Sequence, residues 1–69
     1  MAREKFTDTE VMALNAYESW RRAWWSLEMA TGSYLIGRDL DWKKVLNCQR
    51  EYYAAAKAYE YAVNLMLSA

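Results

Sequence analysis

Apolar positions recur every three to four residues from Val11 to Leu35 and again from Val45 to Leu67. That spacing is the period of a helix with one greasy stripe, not the alternation of a strand. The ends of both stretches carry helix signals. In Phe6-Thr7-Asp8-Thr9-Glu10-Val11, Thr7 can cap free N–H groups and Glu10 can reach back to it, a capping box. Phe6 and Val11 then occupy the two positions of a hydrophobic staple. Leu40-Asp41-Trp42-Lys43-Lys44-Val45 repeats the cap and the staple without the box. Between them Gly37 suits the left-handed turn that ends a helix. Gly32 is a competing stop, but Tyr34, Leu35 and Ile36 continue the pattern beyond it. The reading is therefore a first helix over about Asp8–Ile36, a turn at about residues 37–41, and a second helix over about Trp42–Ser68. Each would be about 40 Å long at ~1.5 Å per residue. So short a link favours antiparallel neighbours.

Small residues recur at seven-residue spacing in both helices: Ala16, Ala23, Ala30 and Gly37, then Cys48, Ala55, Ala62 and Ala69. A sustained seven-residue repeat implies a left-handed supercoiled pair. Folding the chain about residue 39 sets Ala16 against Ala62, Ala23 against Ala55 and Ala30 against Cys48. The repeats thus agree with the turn inferred from the caps. Beside this seam large residues are expected to meet small ones: Trp20 with Ala58, Tyr59 with Ser19, Tyr52 with Ser26. Ser26 is also placed to hydrogen-bond the Tyr52 hydroxyl.

Equivalent heptad positions of an antiparallel pair fall on one side of the hairpin. One side collects Tyr17, Trp20, Trp24, Leu27 and Tyr34 with Trp42, Val45, Tyr52, Tyr59, Val63 and Met66. The other side is more polar, with Asn15, Ser19, Arg22, Ser26, Lys44, Asn47 and Ser68. Two helices cannot cover both the seam and this aromatic face. Its size exceeds the few hundred Å² that soluble monomers leave open. The expected cover is a second hairpin, giving a four-helix or larger bundle. A further surface includes Val11, Leu14, Trp25, Leu35, Leu46, Tyr53 and Leu67, with Trp25 beside Glu18, Arg21 and Arg22. It is either a ragged core edge or a contact surface for a partner. The candidate partner-binding residues are Trp25, Arg21, Arg22, Tyr53 and Leu46.

Size sharpens this reading. At 69 residues the chain is one domain at most, and so short a chain folds only marginally by itself. Disulfides, a metal or oligomerisation usually stabilise such scaffolds. One cysteine excludes an internal disulfide, and the absence of histidine argues against a structural zinc site. Oligomerisation or a partner remains. The hydrophobic share of 55% and aromatic share of 16% exclude a disordered chain. Lys+Arg and Asp+Glu are both 9, whereas dedicated nucleic-acid binders carry a basic excess. Met1–Lys5 is polar and does not resemble a signal peptide. No run approaches the ~20 uncharged residues of a membrane span. The polar face lacks the strong Lys/Arg bias of helices that lie on membranes. A free thiol without a secretion signal places the expectation in the cytoplasm.

Catalytic chemistry is thin. Glu18, Glu28, Glu51 and Glu60 do not fall at a spacing that suggests a paired site. Di-iron bundles use Glu-x-x-His, and the His is missing. There is no phosphate-binding glycine loop and no Ser-His or Cys-His pair. Cys48 fits a small seam residue. Glu51, beside the seam, either reaches solvent along the edge or pairs with an arginine across an oligomer interface. Arg38, Lys43 and Lys44 gather at the loop end. Arg21-Arg22-Ala23-Trp24-Trp25 mixes cationic and stacking groups, as single-strand binders do. Glu18 and Arg22 are spaced as a helical i,i+4 pair.

The chain thus reads as all-α: an antiparallel helical hairpin with an Ala-rich seam, one domain over residues 1–69, assembling with itself into a bundle. In length and hairpin plan it is similar to the Rop four-helix bundle, which binds RNA. That likeness is architectural, no motif carries over, and fold does not imply function. The leading expectation is a non-enzyme without cofactor or metal, which binds another protein and inhibits or tethers it, as an accessory or phage-encoded inhibitor does. One alternative is a nucleotide-sequestering module with a pocket between chains. Another is a Rop-like nucleic-acid-binding bundle.

Overall fold

A computed structural model describes residues 6–68. They form two helices, α1 (Asp8–Leu35) and α2 (Trp42–Ser68), packed against each other as a hairpin. There is no strand among the described residues. Met1–Lys5 and Ala69, the last member of the small-residue repeat, lie outside them.

Local chemistry fixes each end. Thr7 holds an extended backbone, its N–H donates to Glu10 Oε1 at 2.9 Å, and the Glu10 N–H donates to Thr7 Oγ1 at 3.3 Å. Both halves of the capping box are made. At the other end of α1, Ile36 leaves the helical region (φ −88°, ψ 4°) and Gly37 turns left-handed (φ 76°). The Arg38 N–H then donates to the Ser33 carbonyl at 2.9 Å and the Gly37 N–H to the Tyr34 carbonyl at 3.1 Å. This pair of bonds is the Schellman motif, which satisfies carbonyls the helix leaves open. It ends α1 one residue before the expected Ile36, because the motif makes Ile36 the cap. Gly32 stays inside the helix. Asp41 starts α2: its Oδ1 accepts from the N–H groups of Lys43 (3.1 Å) and Lys44 (3.3 Å). Asp39 braces the turn, accepting from the Asp41 N–H at 3.2 Å and pairing with Lys44 Nζ at 3.4 Å. Leu40 is 69% exposed, so the second staple adds little.

The seam has two rows per helix. In α1 the inward positions are Ala13, Ala16, Trp20, Ala23, Leu27 and Ala30. In α2 they are Val45, Cys48, Tyr52, Ala55, Tyr59, Ala62 and Met66. Both sequences step alternately by three and four residues, which is heptad packing. Among the described residues the buried ones are Ala13, Ala30 and Ala62, and Ala62 is 1% exposed. No large side chain is fully buried among the described residues. The molecule measures 51 × 24 × 11 Å with a radius of gyration of 15.7 Å. A compact chain of this length would have about 11 Å. The hairpin is thus a slab one helix thick.

Candidate interaction surface

The aromatic residues divide between the seam and the open side. Trp20, Leu27, Val45, Tyr52, Tyr59, Val63 and Met66 are half-buried, whereas Tyr17, Trp24, Tyr34 and Trp42 are exposed. The first group was expected on an uncovered face. Trp20, Leu27, Val45, Tyr52, Tyr59 and Met66 also form the second row of the seam, which leaves each of them only partly open. Large residues also meet one another across the seam. Trp20 stacks on Tyr59 (ring centroids 5.7 Å, interplanar angle 15°) and leans on Tyr52 at 6.3 Å. Tyr17 touches both Trp20 (5.9 Å) and Tyr59 (5.6 Å). Aromatic meets aromatic across the seam, while the alanine row lets the helix axes come close beside it. Ser26 is exposed, and no hydrogen bond joins it to Tyr52 among the described residues.

Trp25, 61% exposed, lies at the rim of a shallow groove of about 600 Å³ on the outer surface of α1. Leu14, Tyr17, Glu18, Arg21, Arg22 and Trp24 complete most of its lining. The Arg21 guanidinium sits over the Tyr17 ring at 5.9 Å, a cation–π contact. The expected Glu18–Arg22 ion pair does not form, and neither residue has a charged partner among the described residues. Of the candidate contact residues, the structure brings Trp25, Arg21 and Arg22 together. Tyr53 is separate: it packs edge-on against Tyr52 at 5.6 Å and lines a small groove on α2 with Ala56, Lys57 and Glu60. Leu46 is half-buried and lines neither groove.

Sequence reasoning placed Tyr17 and Trp24 with the oligomer face alone, yet both also line the Trp25 groove. Each stands one or four residues from Arg21 or Trp25, and that i,i+4 spacing was the available signal. Met29 was missed altogether. It is exposed in a neighbouring groove with Trp25, Ser33, Lys44, Cys48 and Glu51. Glu51 is exposed there, in keeping with a carboxylate reaching water along the edge. Cys48 is a free, half-buried seam thiol.

No set of three or more potential metal ligands occurs among the described residues, and no helix there is long and apolar enough to cross a membrane. The chain matches no known protein family, and no curated protein or solved structure matches it.

Proposed function

We propose that this chain is a small non-catalytic interaction protein that works as a homo-oligomeric helical bundle. Hairpins meet on the aromatic side, around Tyr17, Trp24, Tyr34 and Trp42 and over the half-buried Trp20, Tyr52 and Tyr59. The outward pair Trp25 and Arg22 then holds another protein, which the bundle inhibits or tethers. One observation carries the reading: a hairpin whose only buried residues among those described are three alanines exposes Trp24, Trp25, Tyr53 and Leu35. A folded monomer of 8.2 kDa exposes about 4,500 Å², and this chain exposes 5780 Å². Trp, Tyr and Arg are the residues on which binding energy concentrates.

Light scattering on the purified protein tests the assembly: a mass of two chains or more is expected, and an 8.2 kDa particle sinks it. Trp25→Ala tests the partner surface. It should abolish retention of the bound protein while leaving helicity and mass unchanged, and retention at the wild-type level counts against Trp25. If the retained species is nucleic acid and its affinity falls steeply with salt, the protein-partner reading gives way to the nucleic-acid one.

A further inference from the structure

The bundle reading leaves open how two hairpins face each other, and the outer stripe of α1 answers that. Along the edge of its aromatic side run Leu14, Tyr17, Arg21, Trp24, Glu28, Thr31 and Leu35. This order has approximate two-fold symmetry about the Trp24–Trp25 step: Arg21 mirrors Glu28, and Leu14 mirrors Leu35. We infer that the second copy lies antiparallel on this stripe, α1 against α1, with the two-fold axis beside Trp24, at the level of the Trp24–Trp25 step. Each Arg21 then meets the partner's Glu28, and each Leu14 the partner's Leu35. This inference rests on the proposed self-assembly and adds its symmetry and register.

Four observations support the arrangement. First, the surface is available. Leu35 is 76% exposed, and Leu14, Arg21, Trp24 and Glu28 are exposed as well. Second, the charges are unspent. Neither Arg21 nor Glu28 forms an ion pair among the described residues, and the Tyr17 ring holds the Arg21 guanidinium at this edge. Third, the register suits α2. The Trp20–Tyr59 stack sets the level of the two helices, so an axis beside Trp24 passes α2 near Ala54. An antiparallel partner then brings the small residues Ala54, Ala55 and Ala56 of both copies to the level of the axis, where small side chains let helices approach closely. Fourth, the area suffices. The chain exposes about 1,200 Å² beyond a compact monomer of its mass. Covering that on both copies gives about 2,400 Å², within the range of permanent homodimers. A stripe that complements its own reverse suits an isologous two-fold contact; an unrelated partner has no need of that symmetry.

Charge reversal tests the register directly. Arg21→Glu and Glu28→Arg each set like charges opposite one another twice per dimer. Each should raise the dimer dissociation constant about tenfold, read by sedimentation equilibrium, with helicity checked by circular dichroism. The double variant R21E/E28R restores attraction and should return the constant close to wild type. A second pair keeps the test open if a charge variant folds poorly: Leu14→Glu should weaken the dimer and the added Leu35→Lys should rescue it. A wild-type dimer indifferent to the single reversals, or one weakened but not rescued by the double, overturns this register and leaves self-assembly standing. A wild-type monomer at all accessible concentrations overturns both.

Discussion

At the scale of single residues, the two glycines have opposite roles. Gly37 has a φ of 76°, with no atom near enough to crowd an added Cβ. A side chain there is disfavoured by backbone conformation alone. Gly32 sits within α1, also with open space where a Cβ would go. There glycine only weakens the helix, by about 1 kcal/mol relative to alanine. Gly32→Ala should therefore stabilise the protein by roughly that amount. Gly37→Ala should destabilise it by about 1 kcal/mol, since left-handed backbone penalises Cβ. Urea unfolding monitored by circular dichroism measures both, and equal signs for the two substitutions would refute the distinction. These residue-scale features were the most legible in the sequence. Thr7, Glu10, Gly37 and Asp41 act on backbone groups within a few positions, so their chemistry needs no knowledge of the partner helix.

At the scale of the element, the seven-residue repeat of small residues located the seam and its level, and Ala30 and Ala62 are buried as that repeat requires. What it concealed was the second row. A seam needs two positions per heptad, and the partners of the alanine row are Ala13, Trp20 and Leu27 facing Val45, Tyr52, Tyr59 and Met66. In the sequence Trp20 and Trp24 look alike, four residues apart on one side. Only the alternating three- and four-residue step separates the stacked Trp20 from the open Trp24. Ala62 shows how close the helices run: at 1% exposure it has no room to grow. Ala62→Leu should destabilise the hairpin by about 1–3 kcal/mol through overpacking, whereas Ala54→Leu, at an exposed position of the same helix, should be near neutral. Thermal melts of the two variants compare them, and equal melting temperatures would mean the seam is looser than described.

At the scale of the whole molecule, thinness dominates. A slab 11 Å deep places every side chain within one helix diameter of water, so burial within one chain ends at alanine. Whatever covers the aromatic side would add burial that one chain lacks. If a second copy does so, mass action links folding to concentration, and the melting temperature should climb steadily over a hundredfold range of protein. A concentration-independent melt would show that the lone hairpin is the stable unit. Which outward residues serve a partner was the least legible part. Trp25, Arg21 and Arg22 came together because they are neighbours on α1, whereas Tyr53 and Leu46 shared only a heptad position with one another.

The near-absence of an interior also bears on how the chain reaches its fold. The turn from Gly37 to Asp41 and the two caps are local, so the helices can start and zip from the turn within microseconds. Little apolar surface is then sealed, and if a second copy covers the aromatic side, the decisive burial waits for an encounter between two hairpins. On this account the slow step of refolding is bimolecular: after a jump out of denaturant, the half-time should shorten in proportion as more chain is present.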